Sequence, residues 1–279
     1  MDQLPHSIPE TSALFEKRAA RFFQGIGKTV MVYMNYIGGV AMLSYQACLL
    51  ALRGKIEWRS VLDQMSQLGV KSLALTNIVA LFTGMVLALQ FIVGLRRFGI
   101  ELYTGQVVGI AIVRELGPVL TAIMIAARVG SGIAAELGSM AVSEQVMAIQ
   151  AMGANPIIKL VLPRILVTTL ITPLLTIIAD VVGIFGGMIV SFLEAGVGPS
   201  FYLDQVLKTV GFDDFFNGLL KTFVFGFLIG GIACFQGLST TRGTQEVGQS
   251  TTRSVVISAL AVFVADYFLT KFLILILQE

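Results

Sequence analysis

Apolar residues along this chain arrive in long blocks set apart by short polar stretches. Five blocks are long enough to cross, as helices, a hydrocarbon layer about 30 Å thick. They run roughly from Ser72 to Leu95, Gln106 to Ala127, Ile165 to Leu193, Phe215 to Cys234 and Val255 to Leu277. The first carries no charge. The others enclose, in turn, Arg114 with Glu115, Pro173 with Asp180, Lys221, and Asp266 with Lys271. No internal repeat or low-complexity tract interrupts the pattern.

A sixth block, about Thr29 to Leu52, is long enough to span but is broken by Asn35, Ser44 and Gln46. Charge bias decides how it is placed. With five spans, thirteen Lys and Arg flank them on one side and only Arg96, Arg97 and Lys208 on the other. With six spans, Lys17, Arg18, Arg21 and Lys28 change sides, and the ratio falls to nine against seven. The expected architecture is therefore all-α and polytopic, with an N-terminal interfacial elbow helix, five transmembrane helices and a short cytoplasmic helix. The N-terminus is cytoplasmic and the C-terminus external. Residues 1–24 read as a polar tail, 25–60 as the elbow and interfacial region, and 72–277 as the bundle, all in one membrane domain over 1–279.

Composition makes lipid the solvent. The chain is 56% hydrophobic and 13% charged, where a soluble chain has about a quarter charged residues. A net charge of +2 without a basic tract gives nucleic-acid binding no support. The first residues, MDQLPHSIPE, lack the basic start of a secretory signal, so the apolar blocks are expected in the mature protein. The single histidine, His6, lies in the polar tail, which disfavours histidine-dependent nucleophiles and metal sites. Cys48 and Cys234 are far apart and read as small apolar fillers. Gly27-Lys28-Thr29 looks like the end of a phosphate loop, but Phe22 stands where that loop needs its first glycine. Any ATP hydrolysis then belongs to another polypeptide.

The stretch joining the second and third blocks predicts a helix at about 143–153. Ser143 can cap it, and Glu144 in the first turn suits the helix dipole. Val142, Val146 and Ile149 recur at helical spacing, Gly153 suits a left-handed C-terminal position, and Asn155-Pro156 stops continuation. Such a helix is either a docking element for a cytoplasmic motor domain or a connector lying on the headgroups.

RELGP (Arg114 to Pro118), AARVGSGIAAELGSM and SEQVMAIQAMGANP resemble the MlaE/YrbE family of ABC permeases. GMVLALQ (Gly84 to Gln90) and TTRSVV (Thr251 to Val256) fit the same pattern, and the likeness covers roughly Leu68 to the C-terminus. The resemblance implies a homodimeric permease of the bacterial inner membrane that moves phospholipids between inner and outer membranes. It implies two copies of a cytoplasmic ATPase, which bind the ATP and magnesium, so that this chain is no enzyme and holds no cofactor. A periplasmic MCE-domain protein and often a small STAS-domain subunit complete the implied assembly. Glu144 to Gly153 becomes the coupling helix, with Glu144, Gln145, Ala148, Met152 and Gly153 toward the ATPase.

Ionisable groups inside a bilayer are functional candidates. Arg114 and Glu115 are adjacent, so on an α-helix they point about 100° apart and cannot neutralise each other along one face. The resemblance puts Glu115 near a lipid cavity; an interspan ion pair with Asp180, Lys221 or Asp266 is the other reading. Leu87, Phe91 and Leu95 share a helix face and either contact acyl chains or serve plain helix packing. Outside the permease class, an ion-coupled transporter using Asp180 and Asp266, or a membrane scaffold without transport activity, are the alternatives.

Overall fold

The structure, a computed structural model, describes residues 9–54, 56–241 and 243–277, and of residues 9–26, Thr29 and 276–277 the backbone alone. His6 and, among the thirteen Lys and Arg counted on one side, Lys55 and Arg242 lie outside the described residues.

The chain divides between Leu43 and Ser44. Upstream lies most of α1 (Pro9–Leu52), helical from Pro9 onward. Val30–Leu52 is a sixth helix long and apolar enough to cross a membrane. An interfacial elbow is expected to be apolar on one side only. Val30, Met31, Val32, Tyr33 and Met34 are apolar at successive positions and all exposed, so this part of α1 is apolar all round.

Downstream, the bundle is built from α2 (Trp58–Arg96), α3 (Glu101–Val142), the short α4 (Gln145–Ala151), α5 (Ile157–Ala195), α6 (Pro199–Thr209), α7 (Phe212–Leu238) and α8 (Thr244–Leu277). Each of the five predicted blocks lies inside one of these long helices. At 39 residues, α2 is about 58 Å long. It therefore overshoots the hydrocarbon, and its first turns carry Arg59, Asp63 and Lys71 beyond it. Gly99 at φ 68° ends α2, with Ile100 N–H on Leu95 O and Gly99 N–H on Arg96 O.

Prolines shape α3 and α5. Pro118 has no N–H for the carbonyl of Arg114, and Pro163 has none for that of Lys159. In both places the helix widens by one residue into a π turn. These turns are Ile112–Leu116, closed by Gly117 N–H on Ile112 O, and Ile157–Val161, closed by Leu162 N–H on Ile157 O.

Helix crossings rest on glycine. A Cβ on Gly84 of α2 would stand 1.9 Å from Gly183 O of α5, and one on Gly186 would stand 2.3 Å from Leu81 O. Gly226 and Gly230 of α7 meet Thr168 of α5 in the same way. These glycines let the helices approach closely along the α2–α5 and α5–α7 seams.

Candidate functional site

Ser143 closes α3 behind it: its hydroxyl donates to Ser139 O at 2.8 Å, and its N–H bonds the same carbonyl at 3.0 Å. It is therefore the C-terminal cap of α3 and not the N-cap of the next helix, which corrects the sequence expectation. The side chain is taken by the turn it ends. Glu144 follows at φ 62°, the one left-handed non-glycine among the described residues. That conformation costs about 1 kcal/mol for a residue with a Cβ. It reverses the chain in one step, so α4 begins at Gln145 and Glu144 is its N-cap, with its carbonyl accepting from Ala148 N–H at 2.9 Å.

The far end of α4 matches expectation. Gly153 adopts φ 78°, Gly153 N–H reaches Gln150 O at 2.9 Å, and Ala154 N–H reaches Ile149 O at 3.1 Å. This pair of bonds is the glycine-ended stop. Asn155 Oδ1 then accepts from Ile157 N–H at 2.9 Å and opens α5. Val142, Val146 and Ile149 are half-buried and form the inner face, while Glu144, Gln145, Ala148, Met152 and Gly153 are all exposed. Met147 is exposed beside them, and two thioethers give the outer face an adaptable apolar surface.

Ion pairs tie the flanks of α4 to the bundle. Lys159, at the start of α5, pairs with Glu57 just ahead of α2. Buried Arg164 holds Glu136 of α3 at 2.7 Å and donates to Leu160 O at 2.6 Å. Neither partnership was read from the sequence.

The intramembrane charges gather around Lys221 of α7. Its ammonium, 3% exposed, lies 2.9 Å from Glu115 Oε2 and 3.2 Å from Asp266 Oδ1, and donates to Thr270 Oγ1 at 2.6 Å. It also donates to Arg114 O at 3.2 Å, the carbonyl that Pro118 leaves without its helical partner. Glu115 thus takes the interspan ion pair with Lys221, a cation that Asp266 shares and Asp180 does not. Arg114 pairs separately, Nε to Asp214 Oδ1 at 2.7 Å. Both side chains stay open on one flank, at 49% exposure for Arg114 and 41% for Glu115. Together with Asn217, Thr270, Leu273 and Ile274 they line a cleft. The sequence reading missed Asp214 and Thr270; Asp213-Asp214 at the start of the fourth block was the available signal, since acids suit a helix N-terminus.

Leu87, Phe91 and Leu95 do share a face, and all three are half-buried. Leu87 and Phe91 pack on the core of Ala88, Ile92, Val108, Ile112 and Val190. Along the same stretch of α2, Phe82, Val86, Leu89 and Val93 are the exposed apolar positions.

A family model described as Permease MlaE matches residues 61–272. Several proteins are similar over most of the chain. A probable ABC transporter permease protein of Synechocystis sp. is 38% identical over 247 residues, covering 88% of this chain and 94% of that one. Protein TRIGALACTOSYLDIACYLGLYCEROL 1, chloroplastic, of Arabidopsis thaliana is 37% identical over 233 residues, 84% of this chain and 67% of its own length. The intermembrane phospholipid transport system permease protein MlaE of Haemophilus influenzae is 32% identical over 250 residues, 89% of this chain and 96% of its own.

Proposed function

The chain belongs to the MlaE family of ABC transporter permeases, and from that premise we propose that it carries phospholipid between two membranes, driven by an ATPase on a separate chain. The name of the Haemophilus influenzae relative supports the cargo. The observation that carries the docking half of the reading is α4: a short helix held between two spans, inner face packed, outer face exposed, entered through a left-handed Glu144. Backbone strain kept at an exposed element is commonly functional. In this reading the ATPase seats on Glu144, Gln145, Ala148, Met152 and Gly153. Its thrust passes through the Lys159–Glu57 and Arg164–Glu136 pairs to α2, α3 and α5.

The lipid half rests on the Lys221 cleft. Arg114 and Glu115 give it a charged floor, and Leu273 and Ile274 an apolar wall, which suits a headgroup with its chains alongside. Leu87, Phe91 and Leu95 would line the acyl path from α2. Two states of the assembly must bind lipid with different affinity for ATP to do this work. The assembly is a homodimer with two ATPase copies, a periplasmic MCE-domain protein and a STAS-domain subunit, in the inner membrane. The charge asymmetry supports five spans, a cytoplasmic N-terminus and an external C-terminus; the elbow reading of α1 rests on that asymmetry alone, since α1 is apolar all round over Val30 to Met34.

Purification from the native membrane, followed by mass spectrometry of bound protein and lipid, tests this. An ABC ATPase and an MCE-domain protein are expected with the unmodified chain, and the ATPase is expected to be lost with Glu144→Lys. An ATPase retained by Glu144→Lys would remove α4 as the docking element, and a chain that purifies without any ATPase would remove the whole reading.

A further inference from the structure

Asp180 lies near the middle of α5 and is 6% exposed, with Oδ1 sealed from solvent and without a hydrogen-bond partner. Among the described residues no ion pair reaches it. The charged groups of the elements around it are engaged elsewhere or stand several turns away along their helices. On α3, Arg114 and Glu115 are turned to Asp214 and Lys221, Glu136 to Arg164, Glu101 stands in the first turn, and Arg128 is exposed about three turns beyond Gly117. On α7, Lys221 and Asp214 are taken by those same pairs, and Asp213 stands in the first turn. On α2, Arg59, Asp63 and Lys71 lie within the first four turns and Arg96 in the last. On α6, Asp204 pairs with Lys208, and Tyr202 meets α5 at Gly187, about two turns from Asp180. A lone carboxylate in apolar surroundings costs far more than taking up a proton does.

Two further observations give the acid a role. Thr168, Thr172 and Thr176 each donate a hydroxyl to the carbonyl four residues back, at 3.1, 2.7 and 2.8 Å. Asp180 is next at the same spacing but makes no such bond to Thr176 O, so its carboxyl is left without a partner in its own helix. Across the seam, a Cβ on Gly117 would stand 1.7 Å from Asp180 Oδ1. Gly117 is also the residue whose N–H closes the π turn on Ile112 O. Sliding the bulge by one residue would bring Leu116 or Pro118 against Asp180, where the space admits no side chain.

We propose that Asp180 is a proton-binding site, held as the neutral acid against Gly117, and a positioning residue that fixes the register of the bulge carrying Arg114 and Glu115. Ionising it drives the carboxylate toward water, frees Gly117 and lets the bulge turn both side chains away from Lys221 and Asp214. The consequence for transport rests on the reading of the Lys221 cleft as the headgroup site; the proton site does not.

The purified full-length chain in lipid nanodiscs, titrated with alkali, tests it by infrared spectroscopy and by amide exchange of residues 112–118 corrected for intrinsic pH dependence. The unmodified chain is expected to show a protonated-carboxyl band at neutral pH that is missing in Asp180→Asn. As that band disappears with rising pH, the bulge amides should lose protection, while those of Asp180→Asn stay protected throughout. A band that persists in Asp180→Asn overturns the proton site, and a band lost without any change in exchange overturns the positioning role. Should Asp180→Asn not fold, carboxyl-13C aspartate must shift the band of the unmodified chain, and Asp266→Asn must leave it in place. Phospholipid transfer in vesicles reconstituted with the ATPase and MCE partners separates this from the proposed function. Transfer without the band sinks the Asp180 proposal alone, and the band without transfer sinks the transport reading alone.

Discussion

Lys221→Met is expected to destabilise the bundle by about 3 kcal/mol or more, because it strips the cation from two carboxylates at once. Breaking a buried ion pair from one side costs about 3–5 kcal/mol, most of it the penalty of the charge left behind. Lys221 itself is 3% exposed and Asp266 19%, so the charge on Asp266 has little access to water. Glu115, at 41%, can turn into the cleft, which holds the loss to the lower part of that range. A second cost comes from the backbone. Arg114 O loses the donor that replaces the N–H missing from Pro118, and an unsatisfied buried carbonyl costs about 1–3 kcal/mol. The measurement is the temperature at which the detergent-solubilised chain loses its monodisperse gel-filtration peak. That temperature should fall for Lys221→Met and recover in large part when Glu115→Gln and Asp266→Asn are added, since the triple variant leaves no unpaired charge. A single variant as stable as the original chain would mean that the cluster is hydrated throughout and that pairing holds nothing together.

Lys221 and Asp266 stood among three partners open to Glu115 in the sequence; the choice between them and Asp180, and the Arg114–Asp214 pair, were not legible, and the reason is geometric. Reading Arg114 and Glu115 as 100° apart assumes α-helical spacing, and the π turn at Ile112–Leu116 adds a residue there and resets the phase of both. Pro118 does announce that the Arg114 carbonyl will be free. Whether the helix answers with a kink or a bulge depends on what waits across the seam, here Asp180 and Lys221. The same limit applies to Ser143. A serine two residues ahead of a helix is a good N-cap on local grounds, but α3 and α4 abut so closely that it serves the helix it ends. Gly153 read correctly because a left-handed stop is decided within a few residues; Asn155-Pro156 does break the helix, while the cap that Asn155 gives to α5 was not read. The apolar blocks found the spans and undershot their lengths. Arg59, Asp63 and Lys71 lower the hydropathy of the α2 start without interrupting its helix.

Gly84→Leu should separate α2 from α5 and is expected to be the most damaging apolar substitution in the bundle. The atom it would meet is the backbone oxygen of Gly183, 1.9 Å from the new Cβ, and a backbone atom cannot rotate aside. Restoring ordinary contact means moving the helices apart by about 1.5 Å, and that displacement propagates. Gly186 against Leu81 O and Gly183 against Ala80 O lie along the same seam, so their close contacts are lost together. Membrane helices are held largely by such packing, because lipid tails are as apolar as the side chains and supply no hydrophobic drive between helices. Overpacking one site typically costs about 1–3 kcal/mol; a seam opened along its length puts Gly84→Leu at or beyond the top of that range. Gly94 is the internal control. It sits on the same helix with nothing within 4 Å of a Cβ, so Gly94→Leu should leave the gel-filtration profile and thermal midpoint unchanged. Equal losses from both would show that α2 dislikes any leucine in place of glycine, and that the Gly84–Gly183 approach is not what holds α2 on α5.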